Sequence, residues 1–474
     1  MKTSNKFPEI IQGGMGIGVS NWRLARAVAM QGEMGVVSGT AIDSVFVRRL
    51  QLGDPGGDIR RALSYFPWQD MARRVLDAYF IEGGKPDKEP FKLIPMPSVN
   101  MPRSSTELTI MANFAEVFLS KEGHNGIVGI NYLEKIQLPT LPSIFGAMLG
   151  GVDCILMGAG IPLSIPGILD ALSELKPVEL KLSVEDNTMF QNFFQRFDPI
   201  EFVSGNVPEL TRPKFLAIVS SDIVAKTLIK KASGSVEGFI VENHTAGGHN
   251  APPRKTNRVH SQSHPQFTEK DIPNVAKIAE FERPFWLGGG YGTPERLKEA
   301  IDMKANGVQV GTAFAFCKES AIMHRIKQDV IRKCLDGAIE VLTDFNGSPT
   351  GYPFKLVRLE DTAPFLGENM QRRRVCDLGY LRRIYCKSES GFGYRCPAEP
   401  IESFIAKGGL ADETLGKLCL CNGLMATIGL GQVRNTGIES PIVTSGEDLS
   451  VVAHLVGRFG TNYSAEDVIN YLKS

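Results

Sequence analysis

The sequence has no excess of either charge: lysine plus arginine number 52 and aspartate plus glutamate number 52 in 474 residues. Without a net field it carries no electrostatic footprint for nucleic acid or an anionic membrane, and neither is expected as a partner. No stretch approaches the ~20 apolar residues of a membrane span. The opening MKTSNKFPEI lacks the apolar core of a secretion signal. The eight cysteines are therefore expected as reduced thiols in a cytoplasmic protein. Solenoid-period repeats and low-complexity tracts are missing, and so is a GxSxG elbow for a serine nucleophile. His244 and His249 stand five apart on a glycine loop, without the HExxH spacing or a third ligand nearby, so no metal is assigned to them.

What is present is densest at 284–321. An apolar run, Phe285 to Leu287, breaks into Gly288, Gly289 and Gly290. Thr293-Pro294-Glu295 then supplies an N-cap, a first-turn proline and an acid, predicting a helix over 295–305. A second short strand at 308–310 breaks into Gly311-Thr312 before another helix. Two adjacent strand–glycine turn–helix units leave backbone N–H groups free for an anion, and a phosphate is the expected ligand. The alternative is two ordinary βα turns in which glycine serves only tightness.

Apolar strands are predicted at 8–12, 35–37, 127–132, 154–157, 215–219, 238–241, 285–287 and 308–310, with amphipathic helices between them. Eight such units predict an α/β fold, a (β/α)8 TIM barrel filling 1–330, rather than a doubly wound open sheet. Insertions after strands 2 and 4 are expected at about 52–105 and 176–212, and a mainly helical C-terminal extension with a cysteine-containing segment at 331–474. The opening GGMGIG at 13–18 is spaced like a dinucleotide fingerprint. No acid closes the second strand, however; Asp43 falls in the following helix, so these glycines are read as letting backbone approach a flat ligand.

The loop after strand 6, VENHTAGGHNAPPR at 241–254, is the richest in chemistry. Gly247 and Gly248 allow close approach of a planar ligand, and His249 follows at the barrel face where active sites lie. His249 is the candidate base, with His244 second; His260 and His264 read as surface residues. His124, His324 and His454 read as structural.

Seven motifs keep one order along 8–325: the stretch IIQGGMGIG onward, GIN at 129–131, MGAGIP at 157–162, SSDIVAK at 220–226, TAGGH at 245–249, GGG at 288–290 and VQVGTAF at 308–314. In these the chain resembles the nitronate monooxygenase (2-nitropropane dioxygenase) family of FMN-dependent barrels. That family includes flavin enoyl reductases, and the insertions and tail resemble its larger, trans-acting members from polyunsaturated-lipid and polyketide synthesis. The resemblance implies FMN with its phosphate on Gly289, Gly290, Gly311 and Thr312. It implies Gly13, Gly14 and Met15 against the ring, Gly158, Gly247 and Gly248 beside it, and Asn131, Lys226 and Gln309 hydrogen-bonded to ring or ribityl chain. Lys226 would then hold negative charge at the N1–O2 edge, with His249 as base. The implied reaction is nitronate or nitroalkane oxidation with O2.

The alternative is NAD(P)H-dependent enoyl reduction on a CoA or acyl-carrier thioester; a flavin-free phosphate-binding barrel is the alternative of another class. Partners expected on this reading are a small-molecule substrate (nitronate or enoyl thioester), NAD(P)H, an acyl carrier protein and further copies of the chain as a homo-oligomer. The aromatic cluster Phe66-Pro67-Trp68 is a candidate roof or carrier-docking element, and the arginines at 372–374 with Arg395 a candidate phosphopantetheine patch. Cys376, Cys396, Cys419 and Cys421 lie within 46 residues, but with one close pair and no histidine they are read as thiols without metal.

Overall fold

The computed structural model describes residues 7–186, 191–203, 205–254, 266–366, 373–387 and 391–474. Eight parallel strands form its centre: β1 (Ile10–Gln12), β2 (Gly35–Ser38), β3 (Val128–Leu133), β4 (Cys154–Gly158), β5 (Lys214–Val219), β6 (Gly238–Glu242), β7 (Phe285–Gly288) and β8 (Gly307–Val310). They hydrogen-bond in sequence order from β2 to β8, and β8 pairs with β1. The ring closes where Ile11 bridges Met34, through Gln12 N–H to Met34 O at 2.9 Å and Met34 N–H to Ile10 O at 3.0 Å. This is a (β/α)8 barrel, with each of the eight strands where the sequence pattern predicts one.

Alternation along the strands fills the interior with one residue in two. Ile11, Val36, Leu156, Leu216, Ile240 and Trp286 form a single inner cluster. Phe7 stacks edge-on against Trp286 at 5.2 Å where the strands begin, while the Trp286 indole donates to Pro8 O. The outer faces bury Ile10, Val37, Ile130, Phe239 and Val308 against the helices. Those helices start where side chains cap them: Asn21 for Trp22–Met30, Ser221 for Asp222–Lys231 and Thr293 for Pro294–Asp302, the last with proline in its first turn.

The first insertion carries helices Asp58–Ser64 and Gln69–Tyr79. The second is more ordered than its sequence suggests. Val178–Lys181 pairs antiparallel with Phe194–Phe197, and Val184–Glu185 adds a strand beside Arg383–Cys386 of the extension. The extension combines helices with short strand pairs, notably Val341–Asp344 with Phe354–Val357. It returns to the barrel: Tyr463 donates to Ala313 O at 2.9 Å, and the C-terminal helix Ala465–Leu472 packs on Trp22–Met30. No helix among the described residues is long and apolar enough to cross a membrane.

Candidate active site at the barrel mouth

The inner face changes character at the carboxyl end of the strands. Two residues beyond inward-facing Ile11, Leu156 and Trp286 come Gly13, Gly158 and Gly288; two beyond Ile240 comes Glu242. Asn131 and Gln309 face the same way from β3 and β8 and line the same space. Small and polar residues here leave a cavity of about 540 Å³ above the apolar barrel core.

The structure brings nearly all the sequence-predicted site residues to this cavity. Gly13, Gly14, Met15, Asn131 and Gly158 line one side. Gly247, Gly248, His249, Gly289 and Gly290 line the other, with Gln309, Gly311 and Thr312 between. A Cβ on Gly14 would come within 2.2 Å of Asn131 Oδ1, so any side chain there must displace Asn131 from the position in which it donates to Gly14 O. Gly289 and Gly290 adopt φ of +87° and +79°, conformations open to glycine, and expose peptide groups beside Thr245.

Lys226 is a correction. It is exposed on Asp222–Lys231 and does not line the cavity. Ala225 and Leu228 bury the inner face of that helix, and the next residue after Ala225 turns about 100° outward. No ammonium therefore reaches the position that the motif match assigns to it.

The histidine loop is held by the extension. His249 pairs with Phe354 as an antiparallel bridge, Lys355 N–H donates to Gly248 O at 3.0 Å, and Gly248 N–H donates to Thr444 Oγ1 at 2.9 Å. His249 Nε2 lies 2.7 Å from the hydroxyl of buried Ser348, and its ring meets Phe354 edge-on at 4.9 Å. Burial pushes the imidazole down to about 4, so it is neutral at physiological pH. His244 stacks on Phe267 with ring centroids 4.4 Å apart, and burial lowers its pKa as well. His260 and His264 lie outside the described residues.

Sequence reasoning missed two contributors. The first is Glu242: Gln309 Nε2 donates to its Oε1 at 2.9 Å, and burial raises the carboxyl to about 7. The strand GFIVE contains the signal, because alternation puts Glu242 on the face of Ile240. The second is the extension itself, which supplies Tyr352, Phe354, Leu424, Ile442 and Thr444 to the cavity wall. Nothing local in those segments announces that they meet a loop some 100 to 200 residues earlier.

Most other candidates resolve into packing; of the arginine run, Arg373 is exposed and Arg372 lies outside the described residues. Phe66 and Trp68 bury against Phe114 and Phe145 and do not line the cavity, so the extension forms the roof in their place. Arg374 donates to Pro397 O and Thr414 O, and Arg395 is held by Glu185 and Asp186, so neither guanidinium is a free anion patch. Asp43 is buried under Tyr380, Ser44 and Thr109. Cys376, Cys396, Cys419 and Cys421 share a cavity of about 10 Å³, where burial pushes Cys396 up to about 12. Among the described residues no group of three or more His, Cys, Asp or Glu is arranged to hold a metal ion.

Does the cavity suit a flavin phosphate? Buried oxygens of Asn131, Asn243, Thr245 and Asn250, and Nδ1 of His244, have no hydrogen-bond partner. All five residues line the cavity: the amide oxygens of Asn131, Asn243 and Asn250 offer acceptors, while the Thr245 hydroxyl and His244 Nδ1 can meet either a donor or an acceptor of a ligand. The glycine turns add exposed backbone at one end and a flat floor at Gly13 and Gly14. Arg254 is the sole lysine or arginine among the described lining residues, which leaves backbone N–H groups to meet a phosphate. The residues present fit FMN.

No family model and no curated protein matches the chain. Among solved structures it is similar to FabK from Thermotoga maritima, at 13% identity and a TM-score of 0.46, covering 98% of this chain and 91% of that one. It is also similar to nitroalkane oxidase from Streptomyces ansochromogenes (14%, TM-score 0.42, 98% and 94% covered). A third is the enoyl reductase domain of MlnA from the macrolactin biosynthesis cluster of Bacillus amyloliquefaciens (12%, TM-score 0.46, 99% and 95% covered).

Proposed function

We propose that this chain is an FMN-dependent oxidoreductase of the nitronate monooxygenase type, oxidising a small nitroalkane with O2. The observation that carries the proposal is the cavity itself: thirteen residues assigned by motif meet at one barrel mouth, among buried acceptors that lack partners. Gly289, Gly290, Gly311 and Thr312 would hold the phosphate, Asn131 and Gln309 the ribityl chain or ring, and Gly13 to Met15 the ring face. FMN when bound supplies an acceptor for one or two electrons, and the protein supplies orientation and the dry, shaped site.

The chain's own groups favour a neutral substrate. With Arg254 the sole lysine or arginine among the described lining residues, an anionic nitronate would meet few compensating charges. A neutral nitroalkane must lose its α proton, and neutral His249, oriented by Ser348, is the acceptor assigned by position. Tyr352, Phe354, Leu424 and Ile442 give that end of the cavity a largely apolar wall.

Those same apolar side chains favour a second reading, NAD(P)H-dependent reduction of an enoyl thioester. Anaerobic mixing of the flavin-loaded protein separates the two. Bleaching by a nitroalkane and not by NADPH supports the first. Bleaching by NADPH alone transfers the assignment to the second, and no response to either rejects both.

A further inference from the structure

Among the described residues lining the barrel mouth, Glu242 is the carboxyl group carried on a strand, with Asp271 and Asp448 on the loops, and no cation stands beside it. Glu242, Gly288 and Gln309 stand level on three adjacent strands, since Gly288 is in register with both of the others. A Cβ on Gly288 would come 3.4 Å from Glu242 Cγ and 3.7 Å from Gln309 Nε2. Gln309 Nε2 reaches across Gly288 to donate to Glu242 Oε1 at 2.9 Å, with room left for no more than a methyl group between them.

That amide is the hydrogen bond recorded for the carboxyl, and no charged group contributes to its ionisation. Lys226 is exposed on its helix, and Arg254, His244 and His249 belong to the loop beyond the strand end. Glu242 is half-buried at the cavity wall, and a carboxylate there with one neutral donor and no cation beside it is under-compensated, a cost that protonation relieves. The amide oxygens of Asn131 and Asn243 line the same cavity without partners, and an acid O–H adds a donor to that space.

We infer that Glu242 is a ligand-contacting residue that engages the group held in the cavity as a neutral acid, so that binding is coupled to proton uptake. The inference rests on the flavin reading. Filling the cavity removes the water that still hydrates the carboxylate, and a phosphate adds negative charge, so both raise the proton affinity of Glu242. The proton comes from bulk solvent; the O–H bond forms at the Glu242 carboxylate and no electron changes hands.

The test is titration calorimetry of FMN into the full-length protein freed of flavin, at pH 8 in two buffers of different ionisation enthalpy. Wild type is expected to take up more than about half a proton per FMN. Glu242→Gln, isosteric and unable to ionise, is expected to bind FMN with no uptake. From pH 8 to 9 the wild-type Kd should weaken by up to about tenfold while that of the variant stays flat. FMN binding without uptake, or equal uptake in Glu242→Gln, overturns the inference and leaves the flavin reading intact. No binding heat in either protein removes the flavin reading and this inference with it. An infrared carboxylic-acid C=O band that persists at pH 6 in flavin-free wild type and vanishes in the variant supports it independently; its absence from wild type overturns it.

Discussion

Replacing Glu242 by glutamine should change stability in a pH-dependent way whose size follows from the structure. Burial lifts the carboxyl from 4.5 to about 7, and each unit corresponds to about 1.4 kcal/mol. Folded and unfolded chains both hold the proton below about pH 4.5, so wild type has the full stability contribution there. As pH rises towards 7 the unfolded chain ionises while the folded one keeps its proton, and stability falls. The loss is complete above pH 7 and amounts to at most about 3 kcal/mol, less where cavity water still reaches the group. Glutamine abolishes this dependence. Any cost from a poorer hydrogen bond to Gln309, about 1 kcal/mol, applies equally at every pH and cancels in the difference. Denaturant unfolding of both flavin-free proteins at pH 5 and pH 8 gives the comparison. Glu242→Gln should gain roughly 2–3 kcal/mol on wild type between those pH values. A difference within 0.5 kcal/mol of zero refutes the reasoning.

Three further outcomes are expected. Gly289→Ala places a Cβ about 3.0 Å from Thr245 Oγ1 at a φ of +87°, which costs ~1–3 kcal/mol and should weaken FMN binding at least tenfold, measured by fluorescence titration, with unchanged circular dichroism. Lys226→Met should leave FMN affinity within about twofold of wild type, because the side chain is exposed on its helix; a tenfold loss in the same titration contradicts the placement. His249, neutral and held down to about 4, adds to stability above its unfolded value of 6.5, and that stability is lost as pH falls from there to 4. His249→Asn should therefore flatten the acid limb of the stability profile, and an unchanged limb rules out the buried neutral imidazole.

The eight strands were legible because each is a short apolar run and most end in glycine or a small polar residue. The same punctuation located the cavity, since glycine is demanded wherever backbone must approach a ligand or another chain. Asn131 and Gln309 were assigned by the motif resemblance alone, and strand alternation is what turns both side chains to the inner face. Lys226 could not, because on a helix a single-residue step separates the buried Ala225 from solvent. Glu242 was legible in principle from strand alternation, but it stands directly before the loop that carries His244 and His249, the residues with the stronger chemical signal. Ser348, Phe354 and Thr444 meet the histidine loop from 99 to 196 residues away, a pairing set by tertiary packing that no local pattern encodes.

The central claim is that the barrel mouth holds a flavin on bare glycine turns. Equilibrium titration of the flavin-free chain with FMN, beside a Gly14→Val variant whose fold is checked by circular dichroism, tests it most directly. Because a Cβ at Gly14 overlaps Asn131 Oδ1, the account predicts one FMN per wild-type chain and loss of binding in the variant. Absence of FMN binding in wild type, or equal binding in a folded Gly14→Val protein, would contradict it.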